Sequence, residues 1–361
     1  MTKLATLYNE HHGKVSDKWT SYLEAYDDLF SAFVDRPVRI LEIGIQNGGS
    51  LELWSKFFPK AEVIVGCDIN PLCSELTYED PRVKVIVGDA NEKSTFDRVT
   101  ALSDSFDIII DDGSHVSGDI IRSFALYFPV LAEGGVFVAE DLHCSYWSDY
   151  EGGMEAPFSS ISFFKRLADY VNRDHWGGSI DLVNGLSFFS DFYQIKFEPN
   201  SLKKITEVRF RNSLAAVFAG LESKSLVGVR IVVGKDAKVE KAVVGISGTS
   251  IRNNDESTNV FGPLGERSEA SVYARTDIDQ RNLTYQKELS KMQALEAALQ
   301  RTENALVRAR KTPLEPLAQR LGFLLLSAAQ RVWPSSHGAG QAWIVRKLEK
   351  LDPKRGYRKC V

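Results

Sequence analysis

The chain has 361 residues, of which 43% are hydrophobic, and this is enough for a sizeable core in one to three domains. Its 44 basic and 48 acidic residues give a net charge of -4, which provides no overall basic signal for nucleic-acid binding. The four cysteines are scattered without a C-x-x-C pair, which argues against a zinc ribbon and against a disulfide scaffold.

Residues 1–36 predict an N-terminal helical segment. They contain no apolar core of a secretion signal, and no stretch of the chain approaches the roughly 18 apolar residues that span a bilayer, so we expect a cytoplasmic protein. Apolar side chains at helical spacing predict one buried face. These side chains are Tyr22, Ala25, Tyr26, Leu29, Phe30 and Phe33.

Apolar runs of strand length alternate with helical stretches between residues 38 and 141. The predicted strands cover 38–44, 62–68, 82–89, 106–111 and 134–139. This alternation predicts an α/β fold with a doubly wound, mostly parallel sheet. Two further runs, 207–211 and 214–218, are separated by Asn212 and Ser213 and predict a terminal hairpin.

The remaining segments divide the chain further. We assign residues 37–221 to one domain, in which the aromatic, irregular stretch 145–200 is interpreted as a lid or insertion over the open end of the sheet. Residues 222–275 are polar and rich in Gly and Ser, so they predict a partly flexible linker.

Residues 276–311 predict a long helix because the chain has no Pro or Gly from Ile278 to Arg310. One row of apolar residues recurs every seven positions, but the second row that a coiled coil needs is weak. Assembly of a homo-oligomer through this helix and a plain amphipathic face therefore both stay open. The tail 312–361 is basic and amphipathic, which suits peripheral contact with an anionic membrane surface as well as a solvated tail.

A glycine-rich turn follows the first predicted strand and is a candidate cofactor site. It contains Glu42, Gly44 and Gly48 in the pattern E-x-G-x-x-x-G. Such a turn lets a ligand approach the backbone at a helix N-terminus. The turn lacks the G-x-G-x-x-G fingerprint of dinucleotide-binding folds, which disfavours a dehydrogenase.

Acidic residues end four successive predicted strands, and ligands of open α/β sheets bind beyond these strand ends. Asp68 is placed to accept hydrogen bonds from ribose hydroxyls and Asp89 from an adenine amino group, because carboxylates offer several acceptor positions. Asp111 is assigned to the same cofactor site. Helix capping is the competing interpretation for each single acid.

Residues 38–150 resemble the metal-dependent S-adenosylmethionine methyltransferases of the macrolide-sugar O-methyltransferase and cephalosporin-hydroxylase-like group. The matching runs are L-E-I-G at 41–44, D-D-G-S-H at 111–115, E-D-L-H at 140–143 and S-Y-W at 145–147. The run S-D-K-W at 16–19, with Tyr22, is similar to a weaker N-terminal motif of that group.

The resemblance implies S-adenosylmethionine as cofactor and a divalent metal such as Mg²⁺, held by Asp112, Glu140 and Asp141. Three carboxylates suit a hard cation better than zinc. It also implies His115 as the general base that removes a hydroxyl proton, with His143 as a weaker candidate. A structural role for His115 is the competing interpretation.

The activity implied by the resemblance is O-methylation of a sugar hydroxyl, in a bacterial glycan or a glycosylated metabolite. Methylation of a non-sugar metabolite is an alternative. A catalytically inactive scaffold that assembles through its long helix is another, although the intact acids and His115 argue against it.

Overall fold

The structure is a computed structural model that describes residues 3–176, 182–251 and 301. Five parallel strands form the centre of its sheet: β1 (Arg39–Ile43), β2 (Val63–Asp68), β3 (Val83–Val87), β4 (Phe106–Asp111) and β5 (Leu131–Ala139). The hairpin of β6 (Ile205–Arg211) and β7 (Leu214–Ala219) is added to β5 in antiparallel pairing. The order is β3-β2-β1-β4-β5-β7-β6, which confirms the predicted doubly wound, mostly parallel sheet.

Helices connect the strands and cover the sheet. They are α1 (Lys3–Asn9), α2 (Thr20–Phe30), α3 (Gly49–Phe57), α4 (Lys93–Thr100), α5 (Ser117–Tyr127), α6 (Ser160–Val171), α7 (Leu182–Gly185), α8 (Ser187–Tyr193) and α9 (Pro199–Lys203). Local chemistry sets several of their ends. Ser159 caps α6 by accepting from the Ser162 N–H, and α9 begins at a proline, whose missing N–H costs nothing in a first turn.

The apolar face predicted for the N-terminal segment is confirmed. All six of its side chains are at most 4% exposed. Trp54 of α3 packs edge-on against Tyr26 and Phe30 with ring centroids 5.5 and 5.9 Å apart. Aromatic packing of this kind attaches α2 firmly to the sheet layer.

The N-terminal segment is not one continuous helix. Residues 10–19 leave the helical conformation between α1 and α2 and lie against the start of α3. There the Gly49 N–H donates to the Val15 carbonyl at 3.1 Å, and Lys14 pairs with Glu52 at 2.6 Å. This connection brings Lys18 and Trp19 to the carboxyl ends of the strands.

Within the stretch 145–200 that we interpreted as a lid, α6 is part of the core. Its side chains Phe163, Phe164, Leu167 and Tyr170 are all fully buried, and Phe163 packs edge-on against Phe124 of α5. A helix buried to this extent contributes to the stability of the fold. The segment directly after β5 is different, since it consists of short 3-10 turns at Leu142–Tyr146 and Ser148–Tyr150.

Residues 222–251 are mostly exposed and contain two 3-10 turns and one isolated bridge between Val229 and Ser250. The rest of the predicted linker, the predicted helix 276–311 apart from Arg301 and the tail 312–361 lie outside the described residues. None of the helices that the structure describes has the length and apolarity required to cross a bilayer.

Candidate active site

Strand register brings the predicted site residues together. Ile43 of β1 pairs with Asp111 of β4, and Asp111 pairs with Ala139 of β5. The pattern continues one step further, because the Asp112 N–H donates to the Ile43 carbonyl and the Glu140 N–H donates to the Asp111 carbonyl, both at 2.9 Å. The acids after β4 and β5 therefore share one edge of the sheet, as predicted from their positions.

Asp112, His115 and Asp141 form a cluster of potential metal ligands. One ligand atom from each residue lies within 4.8 Å of the others, and all three side chains are half-buried. His115 Nε2 is 3.7 Å from Asp141 Oδ2. Two carboxylates with one imidazole form a donor set that a divalent cation can use. Among the described residues, this is the group of acids and histidines whose geometry fits a metal.

Two residues of this cluster have left-handed backbone conformations. His115 has φ of 59° and Asp141 has φ of 53°, in a region that few residues other than glycine occupy, although Asn, Asp and His do so more often than the rest. Surrounding structure must hold residues in this conformation, and such strain is concentrated at functional sites. Here it turns both side chains toward one point.

Glu140, the third metal ligand implied by the resemblance, lies in a buried ion-pair network. Its Oε1 accepts hydrogen bonds from Lys18 Nζ at 2.7 Å and from the Tyr26 hydroxyl. The Lys18 ammonium also donates to Asp112 Oδ2 and lies 3.6 Å from Glu42 Oε1. The Lys18 side chain is only 3% exposed, so its ammonium is a buried cation between three carboxylates.

The electrostatics of the network follow from burial and from the charge of Lys18. Burial raises the pKa of Glu140 and of Asp112 to about 7 in each case, although Lys18 opposes the rise. Burial disfavours the charged form of Lys18, but Glu140, Asp112 and Glu42 outweigh it and hold the lysine pKa well above its usual value. Burial lowers the pKa of His115, which favours a neutral imidazole able to accept a proton.

Asp141 is held by two aromatic residues of the N-terminal segment. Its Oδ1 accepts from Trp19 Nε1 at 3.0 Å and from the Tyr22 hydroxyl at 2.8 Å. The Tyr22 hydroxyl in turn accepts from the Asp141 N–H at 3.0 Å. The weak N-terminal motif at 16–22 thus supplies groups that orient the acids. The sequence analysis did not assign Lys18, Trp19, Tyr22 or Tyr26 to the site. The motif, which contains the first three of them, was the sequence feature that could have identified them.

The glycine turn has the predicted position, but its glycines meet protein atoms. Gly44 (φ 85°) lies against β4, where an added Cβ would come within 2.0 Å of the Asp112 carbonyl oxygen. At Gly48 (φ 77°), an added Cβ would meet the Tyr78 hydroxyl at 2.1 Å. Larger residues at these positions would disturb the fold of the turn as well as any ligand. Glu42 is fully buried, with its Oε2 accepting from Ser50 Oγ at 2.5 Å.

The other candidate cofactor residues differ in their surroundings. Asp68 Oδ2 accepts the N–H groups of Ile45 and Gln46, at 3.0 and 2.8 Å, so this carboxylate shapes the glycine turn. Asp89 is exposed and accepts from the Asn91 N–H at 2.9 Å. Asp111 is 4% exposed, and its Oδ2 makes no hydrogen bond within the part of the chain that the structure describes. Burial raises the pKa of Asp111 to about 7.

These features define a class of protein. A parallel sheet with an antiparallel hairpin at one edge, a glycine turn after β1 and acids beyond the strand ends are the elements of a Rossmann-like methyltransferase fold. Residues 21–168 match the model of the FtsJ-like methyltransferases.

Relatives with named activities resemble part of the chain. The chain is 36% identical over 172 residues to 8-demethyl-8-alpha-L-rhamnosyl tetracenomycin-C 2'-O-methyltransferase of Streptomyces olivaceus, over 45% of this chain and 44% of the relative. It is 35% identical over 158 residues to mycinamicin VI 2''-O-methyltransferase of Micromonospora griseorubida, over 41% of this chain and 39% of the relative. The chain thus spans less than half the length of these curated relatives.

A solved structure shares the fold. MycE methyltransferase from the mycinamycin biosynthetic pathway, in complex with Mg and SAH, aligns with a TM-score of 0.51 and 26% identity, covering 67% of this chain and 59% of MycE. A second MycE complex, which also contains mycinamycin VI, aligns with a TM-score of 0.50 and 27% identity over 61% of this chain and 54% of MycE.

Proposed function

We propose that this chain is an S-adenosylmethionine-dependent, divalent-metal-dependent O-methyltransferase that acts on a sugar hydroxyl. The observation that carries the proposal is the convergence of Asp112, His115 and Asp141 at the carboxyl end of the sheet. The named sugar O-methyltransferases among its relatives support the substrate class, and the Mg and SAH in MycE support the cofactors. A glycosylated metabolite or a glycan intermediate supplies such a hydroxyl.

The described residues fit both cofactors. Asp112 and Asp141 offer half-buried carboxylate oxygens within 4.8 Å of one another, as a hard divalent cation requires, and His115 lies beside them with its imidazole left free to act as the base. On the cofactor side, the buried Oδ2 of Asp111 has no hydrogen-bond partner among the described residues and lies at the end of β4, next to the strand that leads into the glycine turn. Asp68 Oδ1 accepts the Asn70 N–H at 2.8 Å and keeps a second acceptor position for a ribose hydroxyl.

When bound, S-adenosylmethionine supplies an electrophilic methyl group, and the metal lowers the pKa of the acceptor hydroxyl. His115 Nε2 is placed to take the hydroxyl proton as the new C–O bond forms, and Asp141 stabilises the resulting imidazolium from 3.7 Å. Lys18 and Tyr26 keep Glu140 in place, while Trp19 and Tyr22 orient Asp141.

We expect methyl transfer to stop when divalent metal is removed. The acids of the cluster bind the cation that activates the acceptor, so dialysis against EDTA should abolish turnover and added Mg²⁺ should restore it. Turnover is measured by transfer of a labelled methyl group to a rhamnosylated acceptor.

The control for metal removal is cofactor binding. Asp112→Asn should weaken the response to metal more than the affinity for S-adenosylmethionine, measured by calorimetry, because Asp112 touches Lys18 and the cluster instead of the glycine-turn side chains. Full turnover in a sample shown to be free of metal would rule out the metal-dependent mechanism.

We also propose, from the sequence alone, that the protein works in the cytoplasm and that residues 276–311 join copies of the chain, with the basic tail near a membrane surface. A chain ending at residue 275 should stay folded and bind S-adenosylmethionine but form a smaller assembly. Light scattering of the truncated and full-length proteins measures this. Equal sizes would rule out assembly through the helix.

A further inference from the structure

Four aromatic rings form a continuous strip beside Asp141. Trp19 meets His143 edge-on with ring centroids 5.9 Å apart, and His143 meets Trp147 edge-on at 5.0 Å. Trp147 then meets Tyr150 at 6.1 Å. We call Trp19, His143, Trp147 and Tyr150 the aromatic strip.

The aromatic strip exposes an unusual amount of tryptophan surface. Trp19 is 58% exposed and Trp147 is 52% exposed, whereas Trp54 in the core is fully buried. Aromatic side chains are costly to leave in water, and exposed apolar surface beside convergent polar groups is a common feature of ligand sites. The strip lies next to the carboxylate and imidazole cluster, so its occupant would lie next to the reacting groups.

Hydrogen bonds fix the strip at one end before any ligand arrives. Trp19 Nε1 donates to Asp141 Oδ1 at 3.0 Å, and His143 Nδ1 contacts Ser213 Oγ at 2.5 Å. His115 Nε2 lies 3.7 Å from Oδ2, the other carboxylate oxygen of Asp141. Trp19 and His143 are held in place and lose little entropy on binding, so this end of the strip is preorganised for a ligand.

We propose that the aromatic strip is the acceptor subsite and that Trp147 packs against the apolar face of a pyranose ring. A pyranose presents C–H groups on its faces and hydroxyls around its rim, and an aromatic plane favours C–H groups. A ring lying on the strip directs rim hydroxyls toward Asp141 and His115. This inference rests on the proposed function, because it names the residue that selects a sugar as the acceptor.

The test uses methyl α-L-rhamnopyranoside as the probe and the acyclic polyol L-rhamnitol as its control, because rhamnitol has no rigid ring face. Saturation-transfer NMR on the full chain reports which ligand protons touch the protein. We expect transfer to the ring C–H protons of the glycoside and weaker transfer to rhamnitol.

Trp147 is the residue to vary, because Trp19 also holds Asp141. Trp147→Leu should weaken glycoside binding by roughly 2- to 10-fold, the effect of losing one aromatic contact, while Trp147→Phe should retain most of the affinity. Trp176→Leu is the matched control, since Trp176 packs on Tyr170 at 5.1 Å in a different part of the fold. Affinity for S-adenosylmethionine should be unchanged in all three variants.

Each outcome supports or overturns the subsite. Equal glycoside binding by the parent and Trp147→Leu would overturn it, and so would equal losses in the Leu and Phe variants or no binding by the parent. Methyl transfer to the glycoside, measured on the same parent sample, tests the proposed function separately. Binding that depends on Trp147 without methyl transfer would support the subsite and count against the reaction.

Discussion

Replacing Lys18 by methionine is expected to destabilise the fold by about 3–5 kcal/mol, the cost of leaving buried charges without their partner. The Lys18 side chain is 3% exposed, and its ammonium contacts Asp112, Glu140 at 2.7 Å and Glu42 at 3.6 Å. Methionine fills a similar volume but carries no charge, so the carboxylates would repel one another in a medium that screens poorly. Urea unfolding followed by circular dichroism measures the change.

Lys14→Met provides the matched control for this experiment. Lys14 belongs to the same connection and pairs with Glu52 at 2.6 Å, but its side chain is 26% exposed. Pairs that reach solvent contribute about 0–1 kcal/mol, so this variant should remain close to the parent. If the two variants lost equal stability, Lys18 would not be the central charge of the buried network.

Replacing His115 by asparagine is expected to lower turnover at least about 100-fold, the lower end of the contribution of a general base. Asparagine readily adopts the left-handed conformation that His115 has at φ 59°, so the backbone conformation should not change. An amide cannot take the proton of a hydroxyl at neutral pH. Steady-state turnover gives the loss, and the affinity for S-adenosylmethionine should stay near that of the parent.

His143→Asn separates proton transfer from local packing. His143 Nδ1 lies 3.9 Å from Asp141 Oδ1, nearly as close as His115 is to Oδ2, but it is also engaged by Ser213 Oγ at 2.5 Å. We therefore expect a weaker effect on turnover than at His115 and a greater effect on acceptor binding. A fully active His115→Asn protein would assign His115 a structural role.

The sheet was predictable because local patterns specify it. The buried runs at β1, β2, β4 and β5 are nearly continuous in apolar residues, which is typical of parallel strands covered on both faces. Their alternation with helices limits the topology to a doubly wound arrangement. The hairpin of β6 and β7 was predicted from the two residues, Asn212 and Ser213, that separate its strands. In the structure Ser213 has a left-handed φ of 66°, as a tight turn requires.

The sequence alone could not predict the packing of two predicted segments. The stretch that contains α6 was interpreted as a lid because it is rich in aromatic residues. In the structure α6 is buried against α5, because its aromatic face packs on a helix that is distant in sequence. Gly44 was interpreted as making room for a ligand, but in the structure a side chain there would first meet the Asp112 carbonyl. Both depend on contacts between strands and helices that are distant in sequence.

The sequence by itself determined where the apolar strands lie along the chain and which acidic residues end them. Because parallel strands end at a common edge, it also determined that Asp112, Glu140 and Asp141 would be near neighbours. Only the tertiary structure showed that Lys18 and Tyr26 hold Glu140 and that Trp19 holds Asp141. These contacts join residues more than 100 positions apart, and no local periodicity encodes such pairs. They form because the buried face of α2 fixes the connection before it at the edge of the sheet.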